Sequence, residues 1–215
     1  MIKIAPSILS GDFANMGQSV KDATRWGADF IHFDVMDGVF VPNLTFGMPM
    51  CKAIRAYTEL PIDAHLMIIK PERYVEAFCD AGADIVTFHP DASENVERAL
   101  AAIRAKGKQC GLVLNPDKGV ELIAPYMDQV DIIVLMGVYA GFGGQKFIPE
   151  VLQKIEKVHA MITATGRPIM LELDGGVTEA NARSMTDRGV DVLVGGSSVF
   201  RSADPVATIR ILRGE

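Results

Sequence analysis

The sequence predicts a single (β/α)8 barrel over residues 1–215, and three observations point to it. Apolar strand-like runs alternate with helix-like segments eight times. A chain of 215 residues suits one closed barrel, because such barrels commonly reach this length undivided. Polar residues gather at the C-terminal ends of the strand runs, where barrels carry their chemistry, while the N-terminal ends are plainer.

In chain order, the strands are expected at Lys3–Ile8, Phe30–Val35, Ile62–Met67, Asp84–His89, Gln109–Leu114, Asp131–Met136, Ile169–Asp174 and Asp191–Gly196. The runs are rich in apolar and β-branched residues, as parallel strands buried under helices require. Helical periodicity covers Asn15–Trp26, Pro49–Tyr57, Pro71–Ala81, Glu94–Lys106, Gly119–Met127, Pro149–Thr163, Glu179–Arg188 and Pro205–Leu212. Pro71 and Pro149 sit where a first helical turn tolerates proline, and Ser93 is the expected N-cap before Glu94. The phrases Trp26-Gly27-Ala28-Asp29, Ala81-Gly82-Ala83-Asp84 and Arg188-Gly189-Val190-Asp191 place glycine where a helix stops and the next strand begins.

Composition excludes several classes. Hydrophobic residues make up 49% and charged residues 22%, which describes a folded core. A formal charge of −6 and the lack of a dense Lys/Arg block argue against nucleic acid. No apolar stretch is long enough to cross a bilayer, and the first residues lack the pattern of a signal peptide, so a soluble, cytoplasmic protein is expected. Cys51, Cys79 and Cys110 are widely spaced, which fits reduced thiols better than a disulfide framework or a thiolate zinc site.

The candidate site begins at Ile31-His32-Phe33-Asp34-Val35-Met36-Asp37-Gly38. On a strand, His32, Asp34 and Met36 share one face and Ile31, Phe33 and Val35 the other. Alone, this reads as a satisfied buried polar pair or as a metal or catalytic site. Asp63-Ala64-His65-Leu66-Met67 repeats the logic with His65 and Met67, and Asp174 ends another strand. Strands 2, 3 and 7 can bring His32, Asp34, His65 and Asp174 together at the barrel axis. Two imidazoles and two carboxylates suit one divalent ion such as Zn²⁺ or Fe²⁺, with Mn²⁺ or Co²⁺ as alternatives, better than Ca²⁺ or Mg²⁺. Met36, Met67 and Met136 fall at strand ends, where they serve as core filling or as an apolar lining that excludes water. Gly141-Phe142-Gly143-Gly144-Gln145, Gly175-Gly176 and Gly196-Ser197-Ser198 follow strands 6, 7 and 8, a placement suited to holding a phosphate on backbone N–H groups.

These motifs resemble the ribulose-phosphate 3-epimerase family. The resemblance is carried by Ser7-Ile8-Leu9-Ser10, by His32 to Gly38 with Phe40-Val41-Pro42-Asn43, and by His65-Leu66-Met67. It continues through Gly141 to Pro149, Leu173-Asp174-Gly175-Gly176 and Gly196-Ser197. It implies a metal-dependent isomerase of the pentose phosphate pathway that interconverts D-ribulose 5-phosphate and D-xylulose 5-phosphate. By the same resemblance, His32, Asp34, His65 and Asp174 hold the metal, and Asp34 and Asp174 form the acid/base pair around an enediolate. Ser7, His65, Gly141, Phe142, Gly143, Gly144, Gly175, Gly176, Gly196 and Ser197 then contact a phosphorylated ketose, and a homo-oligomer is the expected assembly. One stretch departs from the family pattern: Met-Ser-Val-Asn-Pro is replaced by Met136-Gly137-Val138-Tyr139-Ala140. That change leaves a hexulose 6-phosphate, such as D-allulose 6-phosphate, as the alternative substrate. A phosphate-binding lyase is disfavoured because His32–Asp37 does not supply Asp-x-Lys-x-x-Asp, and a Schiff-base aldolase because no lysine ends a strand. A non-catalytic phosphosugar-binding protein would not need two opposed carboxylates.

Overall fold

The computed structural model describes residues 1–215. Eight parallel strands form one sheet: β1 (Lys3–Pro6), β2 (Ile31–Met36), β3 (Ile62–Met67), β4 (Ile85–Phe88), β5 (Gln109–Leu114), β6 (Ile132–Met136), β7 (Met170–Asp174) and β8 (Val192–Gly195). Their order is β1-β8-β7-β6-β5-β4-β3-β2, so the ring closes between β1 and β2. That seam carries one isolated bridge, Ser7 to His32, and the amide of Asp29 donating to the Ile4 carbonyl at 2.8 Å.

Outside the strands lie α1 (Met16–Arg25), α2 (Met48–Arg55), α3 (Val75–Asp80), α4 (Val96–Ala105), α5 (Val151–Thr165), α6 (Ala182–Thr186), the single turn α7 (Ser197–Phe200) and α8 (Pro205–Arg213). The main core is the sleeve between strands and helices, where Ile31, Phe33, Val35, Leu66 and Phe88 pack against helix residues such as Ile54, Phe78 and Ile103. A smaller apolar plug of Ala5, Phe30, Ile85, Ile132, Val192 and Val194 is separate from it. Strand alternation thus sends His32, Asp34 and Met36 away from the sleeve and into the ring.

Two expectations are corrected. No α-helix covers Gly119–Met127; two 3-10 turns, Val120–Leu122 and Ala124–Tyr126, stand there instead. Pro125 has no N–H to donate back along the chain, so a continuous helix is interrupted at that point. The N-cap of α4 is Asn95, whose side chain accepts from the Arg98 amide at 2.9 Å. Ser93 instead donates to Glu72 Oε2 at 2.7 Å and accepts from the Asn95 amide.

The repeated Gly-x-Asp phrases do more than end helices. Gly27, Gly82 and Gly189 take φ of +94°, +109° and +102°, the left-handed region glycine favours. The aspartates that follow bind a first- or second-residue amide of the neighbouring strand. Asp29 accepts from Ile4 N at 2.8 Å, Asp84 from Ile62 N at 3.1 Å, and Asp191 from Leu171 N at 2.9 Å. Asp131 does the same for Cys110 N at 3.1 Å. Carboxylates therefore tie β1 to β2, β3 to β4, β5 to β6 and β7 to β8 at the end of the barrel opposite the candidate site.

Candidate active site

Register builds the site. β2 and β3 pair with His32 opposite Asp63, Asp34 opposite His65 and Met36 opposite Met67. Since a parallel pair in register keeps side chains of one face abreast, His32, Asp34 and His65 meet inside the ring. Asp174 joins them from β7, three places around the ring from β2. His32 Nε2 lies 3.3 Å from Asp34 Oδ1 and 3.6 Å from Asp174 Oδ2. His65 Nδ1 lies 3.3 Å and 3.5 Å from the same two oxygens.

Neither nitrogen makes a hydrogen bond, although both are buried. Such orphaned polar atoms are costly in a packed interior. The four donor atoms all lie within 4.8 Å of one another. Donors bound at about 2.0–2.2 Å to one centre in a tetrahedral arrangement stand roughly 3.3–3.6 Å apart. The spacing and the nitrogen-and-oxygen donor set therefore fit one divalent metal ion.

Electrostatics agree with that fit. Burial opposes charge on His32, yet Asp34, Asp63 and Asp174 outweigh it and raise the imidazole well above its usual value. Burial likewise opposes charge on His65, while Asp174 and Asp34 bring it up to about 9. Against burial, the two imidazoles hold both Asp34 and Asp174 below the carboxylate range. The carboxylate pair thus favours positive charge at the place where a divalent ion would sit.

Behind this cluster stand groups whose roles the sequence reading did not assign. Asp63 Oδ2 lies 2.7 Å from His32 Nδ1, Glu172 Oε1 3.3 Å from the same nitrogen, and His89 Nε2 3.0 Å from His65 Nε2. Burial and the neighbouring Asp63 push Glu172 up to about 8, whereas burial and His65 lower His89. The signal for Asp63 and Glu172 was present: each lies two residues before a named site residue, and so on the same strand face. Ser7 donates to Asp34 Oδ2 at 2.5 Å and caps the following turn through the Leu9 amide.

Above the cluster opens a cavity of about 540 Å³ lined by Ser7, Asp34, Asp174 and all three predicted methionines. Met36 and Met67 pack with Val41, while Met136 packs separately with Val113, Val134 and Val138. The same cavity takes in Gly141 to Gly144, Gly175, Gly176, Gly196 and Ser197, with Phe142 53% exposed beside it. His32 and His65 lie beneath the lining, completely buried. The amides of Gly176, Gly196 and Ser197 donate to no protein acceptor, and so remain available to an anion. Gly176 has φ +70°, and a Cβ there would lie 2.5 Å from the Phe147 amide nitrogen, so only glycine fits this approach.

Residues 3–200 match the ribulose-phosphate 3 epimerase family. The chain belongs to the ribulose-phosphate 3-epimerase family. It is 46% identical over 215 residues to the ribulose-phosphate 3-epimerase of Bacillus subtilis strain 168, covering 100% of this chain and 99% of that protein. It is equally 46% identical to the ribulose-phosphate 3-epimerase of Escherichia coli strain K12, over 99% of this chain and 95% of that one. Among solved structures, KGPDC from Streptococcus mutans superposes with a TM-score of 0.76 at 12% identity, over 100% and 96% of the two chains. The 3-hexulose-6-phosphate synthase of Salmonella typhimurium does so at 0.75 and 19%, over 99% and 97%. At those identities the likeness shows a shared barrel.

Within this ribulose-phosphate 3-epimerase family member, the divergent loop after β6 is pressed against the loop after β7. The Gly137 amide donates to the Asp174 carbonyl at 2.6 Å, and a Cβ on Gly137 would come within 2.3 Å of the Gly175 carbonyl oxygen. Tyr139 is 52% exposed and lines the cavity, and its carbonyl accepts from Gln145 Nε2 at 2.7 Å. The Ala140 amide donates to Asn115 Oδ1 at 3.2 Å. No helix is long and apolar enough to cross a membrane.

Proposed function

We propose that this chain interconverts D-ribulose 5-phosphate and D-xylulose 5-phosphate by moving a proton off one face of C3 and returning one to the other. The observation that carries this reading is the pairing of Asp34 and Asp174. They come from strands three places apart, border one cavity, and each approaches both imidazoles. Inversion next to a carbonyl needs an acid/base group on each face of the reacting carbon. Asp34 would act through Oδ2, steadied by the Ser7 hydroxyl, and Asp174 through Oδ1, which carries no protein hydrogen bond. In the metal-free site His32 and His65 hold both carboxylates ionised, the form a general base needs.

His32, Asp34, His65 and Asp174 would hold one divalent ion, Zn²⁺ or Fe²⁺ on donor type, with Mn²⁺ or Co²⁺ as alternatives. Such an ion supplies Lewis-acid stabilisation of the negative charge that develops on the ketone oxygen. Met36, Met67 and Met136 keep the reacting carbon away from bulk water, which strengthens charge interactions there. The free amides of Gly176, Gly196 and Ser197, with the Gly141-to-Gly144 loop, would hold the phosphate and so fix C3 between the carboxylates. The pentulose is preferred to a hexulose 6-phosphate because the curated relatives at 46% identity are ribulose-phosphate 3-epimerases.

Three buried free cysteines accord with a reducing cytoplasm. Val39 and Leu44, 68% and 73% exposed on the loop after β2, accord with a homo-oligomer. The activity test is to incubate the metal-loaded protein with D-ribulose 5-phosphate in D₂O. D-xylulose 5-phosphate carrying deuterium at C3 is expected, and no conversion would defeat the proposal. Faster turnover of D-allulose 6-phosphate would transfer the assignment to that sugar.

A further inference from the structure

The two imidazoles turn different nitrogens toward the carboxylate pair, and each is held from behind by an unlike partner. His32 presents Nε2 and backs its Nδ1 against Asp63 Oδ2 at 2.7 Å. His65 presents Nδ1 and backs its Nε2 against His89 Nε2 at 3.0 Å. His32, Asp63, His65 and His89 are all completely buried, out of contact with bulk water.

A neutral imidazole has one N–H and one lone pair, and binds a cation only through the lone pair. Which nitrogen has it depends on where the proton finds an acceptor. For His32, the carboxylate of Asp63 accepts from Nδ1–H and leaves the lone pair on Nε2. For His65, the lone pair faces the site only if Nε2 carries the proton, and the acceptor there is the Nε2 of His89. His89 must then keep its own proton on Nδ1, which has no protein partner. A protonated His89 Nε2 would force the proton of His65 onto Nδ1 and close the site.

We propose that Asp63 and His89 are positioning residues that fix opposite tautomers in the two histidines, so that His32 Nε2 and His65 Nδ1 both present lone pairs to one ion. The proposal rests on the metal-site reading above. Partners behind metal-binding histidines are worth about 10–100-fold in metal affinity.

The test titrates Co²⁺ and Zn²⁺ by chelator competition into the unmodified protein and into three variants. His89→Phe keeps an aromatic ring but removes the acceptor. His89→Gln keeps a carbonyl that can accept from His65. Asp63→Leu with Glu172→Met leaves His32 Nδ1 without a carboxylate. His89→Phe and the double variant are expected to bind about 10–100-fold more weakly, and His89→Gln to stay within a few-fold. Long-range ¹H–¹⁵N spectra of the Zn²⁺-loaded unmodified protein should show protons on His32 Nδ1 and His65 Nε2, a readout that needs no variant to fold. Unchanged affinity in His89→Phe, or a proton on His65 Nδ1 in the loaded protein, would overturn the proposal. Failure of the unmodified protein to bind either ion would instead remove the metal-site reading itself.

Discussion

Replacing Asp174 by asparagine separates the two halves of the proposed proton transfer. The substitution keeps the side chain's shape and leaves untouched the backbone carbonyl that accepts from the Gly137 amide at 2.6 Å. What it removes is the charge lying 3.6 Å from His32 Nε2 and 3.5 Å from His65 Nδ1, together with the free Oδ1. Losing a positioned acid/base group costs about 10²–10⁴ in rate. That corresponds to roughly 3–5 kcal/mol of barrier. Weaker metal binding adds to the loss, so turnover should be compared at matched metal occupancy. Because Asp34 remains, the variant should still wash deuterium from D₂O into C3 of one epimer without inverting it. The other epimer should exchange far more slowly. Epimerisation within tenfold of the unmodified protein, or equal exchange from both epimers, would refute the two-carboxylate reasoning.

Metal binding should release protons, because the neighbouring carboxylates favour the protonated forms of His32 and His65 in the metal-free site and an ion needs their lone pairs. Calorimetry in buffers of different ionisation enthalpy should find about two protons released per ion near neutral pH, and none would contradict the assigned charge states. In the metal-free protein, His65 contributes stability below its ordinary value of 6.5 and loses it as pH rises through about 9, so the melting temperature should fall across that window. Gly175→Ala places a Cβ at φ +106° and 2.4 Å from Val138 Cγ2, a strain worth about 1–3 kcal/mol, and should lower the denaturation midpoint and raise KM. Burial pushes the thiol of Cys51 up to about 12 and those of Cys79 and Cys110 up to about 11, so the native protein should react slowly with a thiol reagent at pH 8 and fully once unfolded.

Much of the barrel is legible in the sequence because buried parallel strands are written as short β-branched runs between glycine stops. Ile62–Met67 and Gln109–Leu114 form strands over their whole expected lengths, and the other strands differ by one or two residues at one end or by one residue at both. The stretch Gly119–Met127 misled because its apolar spacing is helical while Pro125 interrupts the backbone bonding. Strand alternation brought His32, Asp34, His65 and Asp174 within reach of one another. Asp63, Glu172 and His89 stayed without roles because their partners lie on other strands, and only the register decides which meet. The aspartates at the opposite end were hidden for a similar reason: Asp29, Asp84, Asp131 and Asp191 look like turn residues until the amides they cap come into view.

The sparsely paired closure between β1 and β2 makes the proposed cofactor more than a reagent. Asp34 and Asp174 grip from β2 and β7, on either side of the two strands β1 and β8, so an ion held between them acts as a rivet across the gap. Losing it would relax the ring where backbone bonds are fewest. Amide exchange near Ser7 and Ile31 should therefore quicken on chelation before the rest of the barrel responds.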